Sequence, residues 1–259
     1  MTVFVGTSGW QYRHWRGAFY PESLPQAAWL EHYAGRFRTV EVNNAFYRLP
    51  APATFADWAR RTPDDFVVGV KASRYLTHVK RLRAPAEPVQ RFVDHARHLG
   101  SKLGPVLLQL PPNLRADLDA LAATLARFPK DVRVAVELRH ESWFVEETRE
   151  LLATHGAALC LADSPSRRTP RWRTAGWGYL RLHEGRATPH PCYGRQALAT
   201  WAGELAGLWT PDDDVYVYFN NDERACAVRD AALFAAEVKR AGLTPSRVPP
   251  PGSVRVAGT

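Results

Sequence analysis

The sequence predicts a single-domain (β/α)8 barrel of the TIM type, and three observations carry that reading. Eight short β-branched or apolar runs alternate with amphipathic helical stretches from end to end. Nearly every run ends in ionisable or amide side chains, which is where a barrel keeps its chemistry. Within the runs, aliphatic residues share one face and mostly polar ones the other, because strand side chains alternate.

The strand runs fall at 3–6, 39–43, 66–71, 105–110, 132–138, 157–162, 177–182 and 214–219. Between them lie helical patterns at 27–37, 52–61, 88–103, 114–128, 145–155, 195–208 and 225–241. Several open on Pro and some close on Gly. Eight such units in about 240 residues match the size and order of a barrel with right-handed crossovers. A doubly wound open sheet is the alternative; it usually has fewer strands and a Gly-rich phosphate turn, which is not found here. The barrel is assigned to residues 1–243, and the Pro-rich segment 244–259 is expected to be a loose tail or a strap over the surface.

A chain of 259 residues with 46% hydrophobic and 23% charged content is an ordinary globular protein, which excludes collagen, coiled coil and wholesale disorder. Scaling predicts that it buries about 70–75% of its unfolded surface. The formal charge of +8 favours anionic partners, with an Arg-rich solubilising surface as the plainer explanation. Cys160, Cys192 and Cys226 lie far apart with no CxxC or metal spacing, so neither a disulfide framework nor a Cys-bound zinc is expected, and a reducing compartment fits. The start, MTVFVGTSGW, has no basic lead, and no apolar run reaches the roughly 18 residues of a membrane helix, so a cytoplasmic protein without a membrane partner is expected.

The strand ends supply the candidate site. Val132, Val134, Val136 and Leu138 take one face of the fifth run, opposite Arg133, Ala135, Glu137 and Arg139, with His140 following. Glu41, Asn43 and Asn44 end the second, Lys71 the third with Arg74 and His78 beyond it, and Gln109 the fourth. Asp163 ends the sixth, Arg181 and His183 the seventh, and Asn220, Asn221 and Asp222 the eighth. Four carboxylates (Glu41, Glu137, Asp163, Asp222) against four cations (Lys71, Arg74, Arg139, Arg181) would let this layer neutralise itself, as buried charge requires.

The stretches GTSGWQYRHWRGAFYP (6–21), TVEVNNAFYRLP (39–50), VKASRYLTH (70–78), LGPVLLQLPP (103–112), VELRHESW (136–143), YLRLHE (179–184) and VYVYFNND (215–222) together resemble the YecE-like family, an uncharacterised domain of unknown function. The resemblance covers about residues 3 to 241, leaving the Pro-rich tail outside it. It implies a TIM-type barrel and no established reaction.

Four constellations follow. Glu137, His140, Lys71, Glu41, Asp163 and His183 around one desolvated cavity could shift each other's pKa values and exchange protons, or form a purely structural ion-pair layer. Arg74, Arg139, Arg181, the amides of Gly6 to Gly9, and Asn220 with Asn221 could hold a phosphate or carboxylate, although GTSG by itself defaults to a tight turn. Glu41, Glu137, Asp163 and His183 offer ligands for magnesium, manganese or zinc. Lys71 and the arginines already supply positive charge there, and HExxH and HxH spacings are absent, so a divalent metal is the lesser reading. No organic cofactor motif is found. Arg167, Arg168, Arg171 and Arg173 with Trp172 could contact nucleic acid, the plainer alternative being a solvated lid. Covalent catalysis has little support, since Cys160 falls within a strand and there is no Gly-x-Ser-x-Gly elbow.

Trp10, Tyr12, Trp15, Phe19, Tyr20, Phe46, Tyr47 and Trp143 recur near the strand ends, where they wall a pocket or pack loops onto the barrel. The leading expectation is an enzyme acting on a small anionic ligand. Glu137 and His140 would transfer protons, Lys71 and Arg139 stabilise charge, and Asn43, Gln109, Asn220 and Asn221 orient the ligand. A nucleic-acid binding protein and a non-catalytic scaffold are the alternatives.

Overall fold

The computed structural model describes residues 1–164 and 167–256, with Arg167 and Arg168 described by their backbone alone. Eight parallel strands form the barrel: β1 (Thr2–Thr7), β2 (Thr39–Val42), β3 (Val67–Lys71), β4 (Leu103–Gln109), β5 (Val134–Glu137), β6 (Ala158–Ser164), then β8 (Trp177–Leu182) and β9 (Asp214–Phe219). The two-residue β7 (Arg167–Arg168) turns back on β6, and β10 (Thr244–Pro245) pairs with β1. Each predicted run is one barrel strand, joined in the order β1-β9-β8-β6-β5-β4-β3-β2.

The helices α1 (Trp29–Arg36), α2 (Asn44–Tyr47), α3 (Pro52–Arg60), α4 (Ala86–Ala96), α5 (Leu118–Leu125), α6 (Glu146–Thr154), α7 (Arg195–Leu208) and α8 (Cys226–Arg240) follow the patterns. In α4, Val89, Phe92, Val93 and Ala96 make the buried stripe at helical spacing. Pro52 opens α3 where its missing N–H costs nothing, and the Asp117 carboxylate caps α5 by accepting from the Ala120 amide at 3.0 Å.

The alternation in the sequence becomes two cores. Valines and leucines such as Val40, Val68, Val106, Val136 and Leu180 face the helices. Phe4, Leu107, Ala135, Cys160, Tyr179, Tyr216 and Tyr218 fill the barrel interior. Tyr218 crosses that interior, its hydroxyl 2.8 Å from the Thr39 hydroxyl, and a side chain at Gly69 would meet it at 2.9 Å. The barrel is plugged below its mouth rather than open.

The seam between β1 and β2 carries no ladder, only the bridge Ser8↔Glu41. The Tyr33 hydroxyl from α1 fills the gap, accepting from the Thr7 amide at 3.0 Å and donating to the Thr39 carbonyl at 3.1 Å. Lower down, the Pro-rich segment, expected to be a loose tail or a strap, is tied into the same seam. The Ser246 amide donates to the Val3 carbonyl (2.8 Å), the Val5 amide to the Ser246 hydroxyl (3.0 Å) and the Arg38 amide to the Arg247 carbonyl (3.2 Å). A strand edge needs partners, and residues 244–247 supply them.

The cysteine reading is corrected as well. Cys192 and Cys226 form a disulfide, joining the loop after β8 to the first residue of α8 across 34 positions. Spacing along the chain did not reveal a pair that only the fold makes adjacent. Cys160 stays free and buried. Among the described residues, no helix is long and apolar enough to cross a membrane.

Candidate functional site

Glu137 ends β5 facing the interior, fully buried, and its carboxylate is surrounded by donors. The Gln109 amide, beside it in register on β4, reaches its two oxygens at 3.0 and 2.9 Å. Arg139 Nε donates to Oε1 at 2.7 Å and Arg181 Nη1 to Oε2 at 2.7 Å. Burial pushes the Glu137 pKa up, yet the charge of Arg181, the His183 ring, the charge of Arg139 and the Gln109 bond hold it well below the usual carboxylate range. So committed a carboxylate is a poor base and a good anchor.

Arg181 spans the interior from β8 to Glu41 on β2, its Nη2 2.9 Å from Oε1. Glu41 also accepts from the Ser8 hydroxyl (2.7 Å) and the Tyr179 hydroxyl (2.6 Å). Burial opposes its ionisation, but Arg181 and these hydroxyls lower its pKa. Tyr179 was not among the predicted site residues, and Ser8 entered there only through its backbone amide. Their signal was parity: Tyr179 lies two residues before Arg181 on the same strand face, and Ser8 two after Gly6.

His183 is largely buried just past β8. Asn220 Oδ1 faces Arg181 Nη2 at 3.4 Å, which turns its amide nitrogen to His183 Nδ1 at 3.2 Å. The Nδ1 is therefore the acceptor, and the neutral ring carries its proton on Nε2, 3.8 Å from Glu137 Oε1. Burial, then the Arg181 charge, lowers the His183 pKa to about 4.

Lys71 ends β3 with its amine 3.9 Å from the centre of the Phe46 ring. Burial and then Arg181 lower its pKa to about 8. Among the described residues no carboxylate lies within ion-pair distance of that amine. His78, in the wide turn Tyr75–Val79, packs edge-on against the same Phe46, with its pKa lowered by burial and then by Lys71. Arg74 is exposed at the rim.

Several expected members stand elsewhere. Asp163 shares the helix-facing side of β6 with Leu161 and accepts from Trp201 Nε1 of α7 at 3.0 Å, so it does not converge with Glu41, Glu137 and His183 as a ligand set. His140 is turned away to cap the turn at 141–143, its Nδ1 2.9 Å from the Ser142 hydroxyl, so it does not act on Glu137's side of the strand. Asn221 is buried behind the barrel wall, donating to the Asp230 carboxylate (2.8 Å) and the Pro191 carbonyl (3.0 Å). Burial lifts that Asp230 pKa to about 6.

Asp222 meets the β1 loop. Its carbonyl accepts from Trp15 Nε1 at 3.0 Å, and its carboxylate lies 3.9 Å from His14 Nε2. Trp10 is buried edge-on against Trp58, while Tyr47 is 73% exposed. Asn43 and Asn44 line a small cleft with Ser8, Gly9 and Tyr12, and Asn43 Oδ1 is buried there without a partner among the described residues.

The GTSG amides are spent, since Thr7 N donates to Tyr33, Ser8 N to the Phe219 carbonyl and Gly9 N to the Thr7 carbonyl. Gly9, at φ +97°, makes the tight turn that was the default reading. In the basic loop, Arg171 pairs with Glu204 and lies over Trp201, and Arg173 pairs with Asp213. The side chains of Arg167 and Arg168 lie outside the described residues.

Among the described side chains the mouth thus holds Glu41 and Glu137 against Lys71, Arg139 and Arg181, an excess of one cation rather than the expected balance. The family profile described as "Protein of unknown function DUF72" matches residues 4–253. The chain belongs to the DUF72 family. The match takes in most of the tail that the sequence pattern had left out. Along 95% of its length this DUF72 chain is 25% identical to the UPF0759 protein YunF of Bacillus subtilis (strain 168), covering 99% of that protein. The crystal structure of a DUF72 family protein from Thermotoga maritima MSB8 superposes with a TM-score of 0.81 at 29% identity, over 92% of this chain and 100% of that one. A DUF72 family protein from Enterococcus faecalis V583 shares the fold, with a TM-score of 0.75 at 20% identity over 92% of this chain and 98% of that one.

Proposed function

We propose that the barrel mouth binds a small anionic ligand, carboxylated or phosphorylated, and moves protons on it. The observation that carries this reading is the surplus of uncommitted positive charge. Glu41 is satisfied by Arg181 and two hydroxyls, and Glu137 by Arg181, the Gln109 amide and Arg139 Nε, which leaves the Lys71 amine and the two outer nitrogens of Arg139 without partners among the described residues. A charged fork and an amine beside a low-dielectric interior attract an anion more strongly than the same groups in water. Lys71, poised near neutrality, and His183, neutral with its proton on Nε2, replace Glu137 and His140 as the proton-handling groups.

The nucleic-acid reading has less support, because Arg171 and Arg173 are engaged by carboxylates. The narrower YecE-like likeness and a cytoplasmic setting belong to the same proposal. Motifs such as VELRHESW and VYVYFNND favour the first; the Cys192–Cys226 pair, of a kind commoner in oxidising compartments, weighs against the second.

Thermal-shift screening of carboxylated and phosphorylated metabolites against neutral isosteres tests the reading. Stabilisation by the anions alone, weakened about tenfold in affinity by Arg139→Gln, is expected. Equal response to neutral isosteres, or unchanged affinity in both Arg139→Gln and Lys71→Met, overturns it.

A further inference from the structure

The chain has five lysines, of which Lys71 and Lys102 are buried, and the two are buried differently. Lys102 donates to the Ala59 carbonyl at 2.5 Å and the Thr62 carbonyl at 2.6 Å, an ammonium held by backbone acceptors for structural ends. Lys71 makes no such bond among the described residues. Its amine lies against the face of Phe46, on the mouth side of a plugged barrel. A largely buried lysine with no carboxylate or carbonyl acceptor on its amine among the described residues is unusual, because burying a cation is costly unless it is paired. Burial first, and then the Arg181 and Arg139 charges against the opposing pull of Glu41 and Glu137, disfavour its protonation, the setting that turns a lysine into a nucleophile.

The neighbour completes the site. Arg139 spends only Nε on Glu137, and its two outer nitrogens have no partner among the described residues, on a side chain 22% exposed. A planar fork of that kind matches a carboxylate in two-pronged fashion.

We propose that Lys71 forms an imine with the carbonyl carbon of a small oxo acid whose carboxylate is held by Arg139. This rests on the anion-binding reading of the mouth and adds a substrate class and a covalent step to it. The free amine of Lys71 attacks the carbonyl carbon to give a carbinolamine. The carbonyl oxygen then leaves as water with the two hydrogens of the amine, and the imine nitrogen takes a proton from solvent. The iminium so formed sits where the ammonium sat, against the Phe46 ring, whose face favours a cation.

The test uses the intact protein with pyruvate as probe, acetone as the neutral comparison, and borohydride to reduce any imine to a stable secondary amine. Peptide mass mapping should place the pyruvate adduct on Lys71, with little on Lys80, Lys130 and Lys239 and little from acetone. Lys71→Arg keeps the charge but has no amine able to form the imine, so it should still be stabilised by pyruvate while giving no adduct. Lys71→Met is the second variant, its folding checked by thermal denaturation. Adducts spread over the other lysines, or stabilisation by pyruvate with no adduct on Lys71, overturn the imine while leaving anion binding intact. Failure of pyruvate and inorganic phosphate alike to stabilise the protein, with no adduct, overturns both.

Discussion

Arg181 Nη1 stands 2.7 Å from Glu137 Oε2 with both side chains closed to solvent, and the same guanidinium reaches Glu41 at 2.9 Å. One cation from β8 thus ties together carboxylates from β5 and β2. Removing one partner of a buried ion pair leaves an uncompensated charge, at a cost of roughly 3–5 kcal/mol. Arg181→Met is expected to lose about that much at pH 7 by urea denaturation.

The loss should depend on pH in a set direction. In the native protein the folded pKa values of Glu41 and Glu137 are depressed, so their contribution is present above the unfolded value near 4.3 and is lost as pH falls through the lower folded values. Without Arg181, burial dominates and raises both pKa values. The variant's deficit then shrinks as pH falls toward 4 and the carboxylates protonate. A deficit that is constant from pH 4 to 8 would show that Arg181 does not act through these charges.

Lys71 should cost stability where it serves function. Its folded pKa of about 8 lies below the usual 10.5, so below pH 8 the ammonium is present in both states and the burial penalty is felt in full. The penalty fades as pH rises from about 8 to 10.5 and is absent above that. At about 1.4 kcal/mol per unit, Lys71→Met is expected to stabilise the protein by roughly 3–4 kcal/mol at pH 7. Denaturation midpoints that converge with the native protein above pH 10.5 would complete the pattern; a variant less stable at pH 7 would contradict it.

The barrel was legible because a period of two shows which face of each strand is buried. Glu41, Lys71, Gln109, Glu137, Arg181 and Asn220 could all be assigned inward on parity alone. Asp163 and Asn221 were grouped with them only because they too end strands, yet they fall on the opposite parity, with Leu161 and Phe219. His140 lies one residue past Arg139 and turns outward for the same reason. The partners themselves were not legible. Which carboxylate Arg181 reaches depends on barrel diameter and strand tilt, which leave no trace in local pattern. The Cys192–Cys226 pair and the docking of Ser246 between strands are likewise contacts between segments distant in the chain.

That disulfide closes a loop of 34 positions, for which chain entropy predicts about 3–4 kcal/mol of stabilisation. Reduction with dithiothreitol should lower the urea midpoint, and Cys192→Ala with Cys226→Ala should lower it similarly while abolishing any response to reductant. A native protein indifferent to reductant, its thiols shown free by alkylation, would remove the cross-link from the account of stability.

Tyr33 provides the sharpest test of barrel closure, because its hydroxyl stands in for a missing ladder between β1 and β2. Tyr33→Phe keeps the ring stacked on Phe37 but strands the buried Thr7 amide and Thr39 carbonyl. Each unsatisfied group costs about 1–3 kcal/mol, so a loss of roughly 2–6 kcal/mol is expected. The effect should also be local. Thr7 adjoins Ser8, whose hydroxyl bonds to Glu41, so loosening the seam should weaken anion binding at the mouth as well. Amide hydrogen exchange should accelerate at Thr7 and Ser8 before it does in β4 and β5. Uniform acceleration across all strands would mean that the barrel opens as one unit and that the seam is no weaker than the rest.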